Sequence, residues 1–280
     1  MAKNKVGIVG YGFVGKATKD GLKNCDTFLV DPKLSTTIND LVLFNPKIVF
    51  ICVPTPMSDN GSIDASILES TCQELSKKIP NALLIVKSTV IPNIIARIAS
   101  ENSKIILNPE FLREKTASED FINSKLIIFG GDQKACENAK VFYEQNTYCK
   151  CKDYQFTTVE GASFIKYAIN TFLASKVIFF NEFFNLIRKT NPEIEWDDLK
   201  KIIQLDERIG NSHMDVPGHD GRFGYGGACF PKDTKALLKY SEENNITLNL
   251  LERVIEINNK IRSSYTDLDE REKEQNVKFL

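Results

Sequence analysis

Gly10-Tyr-Gly12-Phe-Val-Gly15 limits what this chain can fold into more than any other stretch. It follows a short apolar run at 6–9 and opens a segment at 13–22 with helical spacing. The first glycine permits a tight turn, the second lets a pyrophosphate approach the backbone, and the third lets helix and strand pack closely. Phosphates of a bound dinucleotide then meet the amides at the helix N-terminus. Residues 27–30 read as the next strand. Asp31 ends it, about 20 residues on, where a carboxylate takes ribose hydroxyls and repels a 2′-phosphate. The unit predicts NAD rather than NADP, held by Gly10, Gly12, Phe13, Val14, Gly15 and Asp31. A glycine turn without a ligand is the competing reading, and the strand–helix–strand–acid context weighs against it.

Strand and helix patterns alternate through the first half. Residues 47–53 form a continuous apolar run, as in a strand covered on both faces. Residues 82–86, 104–107 and 126–129 read as further strands, and 63–78 and 134–143 as helices. From about 158 the pattern turns helical. Ala162, Ile165, Ala168, Ile169, Phe172, Leu173 and Val177 repeat at helical spacing, and the helix can run on to Leu186. Residues 194–203, 231–243 and 248–261 are also helical, while 206–229 is glycine-rich and irregular. The expected fold is α/β: a Rossmann-like doubly wound parallel sheet at 1–157, then an all-α domain with a long central helix at 158–265. A charged tail at 266–280 reads as a solvated helix end or a frayed terminus.

A net charge of −1 gives no electrostatic argument for nucleic acid or an anionic membrane as partner. Seven scattered cysteines make a poor disulfide framework, and Cys149-Lys-Cys151 lacks zinc-ligand spacing. With two histidines in the chain, no metal site is expected. No apolar run reaches membrane-spanning length and no signal peptide is visible, so a cytoplasmic protein is expected.

The chemistry concentrates in Gly224-Tyr-Gly-Gly-Ala-Cys229-Phe-Pro-Lys-Asp233. Glycines allow close backbone approach to a ligand, and Pro231 suits the first turn of a helix. Cys229 then sits at a helix N-terminus, where exposed amides lower a thiol pKa, with Asp233 one turn along the same face. Lys166 and Asn170 share a face of the long helix. They suit a developing oxyanion, although the spacing alone equally fits a solvated outer pair. Glu110 and Glu114 repeat that spacing after a strand, as a general base for water or as ordinary surface carboxylates. The loops Val53-Pro54-Thr55-Pro56 and Lys87-Ser88-Thr89 follow strands, where ligands of doubly wound sheets bind.

Together these motifs resemble the UDP-glucose/GDP-mannose dehydrogenase family, most closely its UDP-glucose 6-dehydrogenase branch. The resemblance rests on residues 7–15, 53–56 and 87–89, Asn108-Pro-Glu-Phe-Leu-Arg-Glu114, Ile165-Lys-Tyr-Ala-Ile-Asn170, Asp206-Glu-Arg-Ile-Gly210 and the cysteine loop, in family order. It implies oxidation of a nucleotide sugar's C6 alcohol to a carboxylate with two NAD, through a thiohemiacetal and a thioester on Cys229. It further implies that Lys166 and Asn170 stabilise the oxyanion, that Asp233 and Thr89 position a water or relay a proton, and that Glu110 assists hydrolysis. Val53, Pro54, Thr55, Ser88, Glu114 and Lys232 would join the cofactor site. Phe111, Leu112, Arg113, Glu114, Lys166, Asn170, Phe223, Gly224, Tyr225 and Gly226 would line the substrate site. Arg208 would reach the substrate of a neighbouring subunit in a homodimer built on the long helix.

The family normally adds a C-terminal α/β domain that closes over the nucleotide, whereas this sequence stops at Leu280. A short form or a chain trimmed at a polar boundary is expected. Residues 211–221 form a longer insert than in animal members. Two alternatives to UDP-glucose oxidation therefore stay open: an NAD-binding partner or regulatory module without its own turnover, and a dehydrogenase of another nucleotide sugar such as GDP-mannose.

Overall fold

A computed structural model describes residues 3–279, with the side chain of Glu114 outside the described set. The chain divides into two compact units. One holds residues up to Thr55 together with Asp64–Lys166, and the other Pro56–Ile63 together with the residues from Tyr167 onward.

The first unit is built on seven strands: β1 Asn4–Val9, β2 Cys25–Val30, β3 Ile48–Ile51, β4 Leu83–Val86, β5 Ile105–Leu107, β6 Ile127–Gly130 and β7 Tyr154–Thr157. Their order is β2-β1-β3-β4-β5-β6-β7. Strands β1 to β5 pair in parallel, with Gly7 opposite Phe28 on one side and Val49 on the other. The expected all-parallel sheet is corrected at β6, which runs antiparallel to β5 through Leu107 and Gly130 and pairs in parallel with β7. The β5–β6 connection carries a 3-10 turn and the short helix Ala117–Ile122, and an antiparallel return needs no full crossover helix.

Helices α1 Phe13–Gly21, α2 Ile38–Phe44, α3 Ser66–Lys78, α4 Pro92–Ser100, α5 Ala117–Ile122 and α6 Gln133–Asn146 accompany the sheet. Central strands β1, β3 and β4 are buried almost throughout, which explains their unbroken apolar runs. Phe129, fully buried, stands between the rings of Tyr143 and Tyr154 at 5.2 and 6.0 Å.

Helix α7, Val159–Thr190, is continuous for 32 residues. Its first turns belong to the first unit for a steric reason. A side chain at Gly130 would meet Ala162 Cβ at 2.6 Å, and Ser163 Oγ donates to Val90 O at 2.6 Å. In the second unit α7 is followed by α8 Trp196–Ile203, α9 Phe230–Glu243, α10 Asn249–Arg262 and α11 Glu270–Glu274. Phe180, Trp196, Met214 and Val216 form one small core there, and Ala174, Ile178, Tyr225 and Val254 another.

The charged tail is ordered over the described residues: Asp269, Glu270, Lys273 and Glu274 are exposed, while Glu272 and Val277 are each 2% exposed. Asn276 Nδ2 donates to Met57 O at 2.8 Å, and Met57 N to Gln275 O at 3.0 Å. Among the described residues no helix is long and apolar enough to cross a membrane.

Candidate functional site

In the first unit, the three glycines have three separate physical reasons. Gly10 adopts φ +89°, and a Cβ there would meet Cys52 O at 2.6 Å. A Cβ on Gly15 would collide with Gly10 O. Gly12, the N-cap of α1, differs: a Cβ there meets no atom within 4 Å, and no side chain caps the helix. The approach to the first-turn amides is therefore open, as an anion site requires. Asp31 faces the same turn. Its Oδ2 accepts from Tyr11 N at 2.7 Å and its Oδ1 from Lys33 N at 2.8 Å, so the carboxylate is already oriented. Phe13 and Val14, in the first turn of α1, are half-buried.

The loops after β3 and β4 are stitched together by their own hydroxyls. Thr55 Oγ1 donates to Thr89 O at 2.8 Å, and Ser88 Oγ to Val53 O at 2.7 Å. Val53, Thr55 and Ser88 are buried, Pro54 exposed and Thr89 half-buried. Thr55 and Ser88 thus hold the shape of this sheet end.

Glu110 is gripped at two points. Lys166 Nζ donates to its main-chain oxygen, and its carboxylate forms an ion pair with Lys87 Nζ. Lys87, which sequence reasoning missed, is buried beneath the β4 loop. It donates to Asn108 Oδ1 at 2.6 Å and Tyr143 OH at 3.2 Å. Burial pushes its ammonium down to about 7. A cleft of about 20 Å³ is lined here by Lys87, Asn108, Glu110, Phe111 and Leu112, room for one water. Arg113 is exposed and turned onto Asp120, with Nη2 at 2.6 Å from Oδ1. Glu114 lies, by its side chain, outside the described residues.

In the second unit Cys229 is the N-cap of α9, with Pro231 in the first turn. It is the exposed cysteine of the seven, all of them free thiols. Asp233, one turn on, is fully buried. Its Oδ1 pairs with Lys232 Nζ at 2.7 Å, and its Oδ2 accepts from Asn170 Nδ2 at 2.6 Å. Lys166 and Asn170 are buried, so the reading of a solvated outer pair is wrong. Lys166 binds the Glu110 carbonyl, while Asn170 binds Asp233. Arg208 is exposed and folds back on Asp206, Nε to Oδ1 at 2.9 Å.

The cysteine loop is moulded by side chains. Gly224 N donates to Asn181 Oδ1 at 2.9 Å, and Arg262 Nη2 to Gly224 O at 3.0 Å. Asn258 takes both main-chain groups of Tyr225, at 2.7 and 3.0 Å. Phe223 N donates to Tyr265 OH at 3.1 Å, and Gly227 N to Glu272 Oε1 at 2.8 Å. Among the described residues Gly226 has no main-chain bond of this kind, but it passes close to Arg262. A signal for two of these partners was present in the sequence. Asn258 and Arg262 continue the buried series Leu251, Val254, Ile255 of α10, so polar residues stand where apolar ones are expected. Among the described residues no cluster of metal-ligating side chains occurs.

Comparison with known proteins bears on both units. The NAD binding domain of the UDP-glucose/GDP-mannose dehydrogenase family matches residues 28–147, and its central domain matches 160–260. The UDP-glucose 6-dehydrogenase of Rickettsia felis is 35% identical over 244 residues, 83% of this chain and 52% of that protein. That of Bacillus subtilis is 30% identical over 252 residues, 85% and 52% respectively. The chain thus spans about half the length of these curated relatives. Among solved structures, a UDP-glucose dehydrogenase from the archaeon Pyrobaculum islandicum superposes with a TM-score of 0.78 at 25% identity, over 92% of this chain and 68% of that one. With a nucleotide-binding glycine turn in one unit, a capped cysteine loop in the other, and both domain patterns matched in order, the chain belongs to the UDP-glucose/GDP-mannose dehydrogenase family.

Proposed function

We propose that this chain carries the chemistry of an NAD-dependent, four-electron oxidation of UDP-glucose to UDP-glucuronate. The observation that carries the reading is Cys229: an exposed thiol at a helix N-terminus, one turn before a buried carboxylate braced by Asn170 and Lys232. The thiolate is the nucleophilic form of a cysteine.

Gly10–Gly15 and Asp31 would hold NAD, which when bound would supply the hydride acceptor for each of two oxidations. The first oxidation converts the C6 alcohol to an aldehyde and releases a proton. The Cys229 thiolate adds to the aldehyde carbon, and the oxyanion so formed is protonated to a thiohemiacetal. This covalent capture retains the aldehyde between the two oxidations. Lys166 and Asn170 supply the oxyanion's hydrogen-bond donors. The second oxidation removes the C6 hydride and the hydroxyl proton, leaving a thioester. Water adds to that carbonyl with Glu110 accepting its proton, the C–S bond breaks, and carboxylate and thiol are released. The sum is alcohol, two NAD⁺ and water giving carboxylate, two NADH and three protons. Asp233 orients Asn170, and Thr89 joins the proton relay.

The same reading makes the chain a homodimer. Phe172, Phe179 and Leu186 on α7 are more than half exposed, and Phe179 and Phe183 stack with ring centres 6.0 Å apart. So apolar a stripe suits a second copy, and Arg208 would then serve the neighbouring subunit. Seven free thiols suit a reducing cytoplasm.

The test is NADH formation with UDP-glucose. Two NADH per sugar are expected, lost in Cys229→Ser. No turnover at high enzyme concentration, with either UDP-glucose or GDP-mannose, overturns the reading. Turnover of GDP-mannose alone overturns the choice of sugar.

A further inference from the structure

The segment after α10 has no task in the reaction above. We propose that Glu272 is a positioning residue for the Cys229 loop, fixing the backbone from which the thiol is presented at the head of α9. The proposal rests on the reading of Cys229 as the nucleophile.

Three glycines, Gly224, Gly226 and Gly227, leave this loop with little conformational preference of its own. Its shape is imposed by the side chains around it. Asn181, Asn258 and Arg262 fasten residues 224 and 225. Glu272 fastens Gly227, two residues before Cys229, and Gly227 stands at φ +75°, which a residue with a side chain rarely adopts. Among the described residues this is the loop's last main-chain bond before Cys229. Gly226 threads between a buried cation and a buried anion: a Cβ there would lie 2.7 Å from both Arg262 Nη1 and Glu272 Oε1.

Glu272 is itself rigidly mounted. Its Oε2 accepts from Asp269 N at 3.0 Å, and its own N donates to Asp269 Oδ1 at 2.7 Å, a reciprocal cap on α11. The residues just beyond are tied down by Met57, by burial of Val277, and by Lys235 Nζ donating to Lys278 O at 2.5 Å. The braced carboxylate therefore holds two main-chain amides, Asp269 N in the α11 cap and Gly227 N in the loop.

Cys229 is the exposed cysteine, so a brief iodoacetamide pulse with peptide mass mapping reads its alkylation whether or not the chain turns over. Glu272→Gln keeps an acceptor for Gly227 N–H but removes the charge, while Glu272→Ala removes both. Comparing the two cancels the effect of charge on the thiol. The Ala variant is expected to alkylate at least fivefold more slowly than the Gln variant, because a released loop no longer presents the exposed thiol at the head of α9. Equal rates, or a faster Ala variant, overturn the proposal. Should the Ala variant fail to fold, Gly226→Ala perturbs the same contact from the loop side. It is expected to alkylate at least fivefold more slowly than wild type, and an unchanged rate overturns the proposal. A wild-type Cys229 no more reactive than cysteine in an unstructured peptide overturns the nucleophile reading instead, and leaves the Ala–Gln comparison intact.

Discussion

Gly12→Ala separates binding from folding in a way the other two glycines of the turn cannot. Gly12 lies at φ −80° and ψ −151°, so alanine meets no left-handed strain, and its methyl group finds no atom within 4 Å. The folding cost is that of alanine at an N-cap, about 0.5–1 kcal/mol. For a protein of this size that is a fall in Tm of roughly 1–4 °C. The same methyl group stands where phosphates must approach the α1 amides. Losing one hydrogen bond to a charged group costs about 1.5–3 kcal/mol, which is roughly ten- to hundredfold in Kd. Wild type at a hundredfold excess of NAD over Kd should gain about 2.7 kcal/mol of stability, and the variant much less. Gly15→Ala is the contrast: its Cβ would collide with Gly10 O, so the turn must open at a cost of about 1–3 kcal/mol or more. Melting curves with and without NAD, with calorimetric titration, read both quantities. Gly12→Ala binding NAD within twofold of wild type, or melting as early as Gly15→Ala, would refute the reasoning.

Asp31→Ala should weaken NAD at least tenfold and narrow the preference over NADP. Parallel titrations with the two cofactors check this, and an unchanged ratio contradicts the assigned role. Phe129→Ala, at a fully buried ring, should cost about 3–5 kcal/mol in urea unfolding. Burial tends to raise Asp220, but the bond from Arg262 Nη1 at 2.6 Å outweighs it and holds the carboxyl below its ordinary value of 3.8. A carboxyl lowered in the folded state contributes stability above pH 4 and loses it as pH falls through the lowered value. The stability gap between wild type and Asp220→Asn should therefore shrink from pH 7 to pH 2.5, and a constant gap would count against the pair.

The glycine turn and the unbroken apolar strands were legible because each follows from local pattern: a 2-residue or 3.6-residue period, or a glycine that only one geometry explains. Strand β7 was not, since Tyr154–Thr157 is a half-exposed edge segment without a buried face. Cys229 could be placed at a helix N-terminus from Pro231 alone, but the partners of the site were out of reach. Lys87 looks like one more polar loop residue until Asn108 and Tyr143, 21 and 56 positions away, are brought to its ammonium. The tail's contacts were out of reach for the same reason: Arg222, Asp59 and the Gly227 amide, which meet Asp267, Lys278 and Glu272, are remote in sequence.

The short segment Pro56–Ile63 belongs to the second unit although it interrupts the first. Its Met57 waits for Asn276, 219 residues later. At a ribosomal rate of 5–20 residues per second, that wait is about 10–45 s. The first unit's sheet is fully synthesised well before then, so it must form around a loop whose own partners do not yet exist. The order of synthesis thus gives the nucleotide-binding half a head start over closure of the second unit.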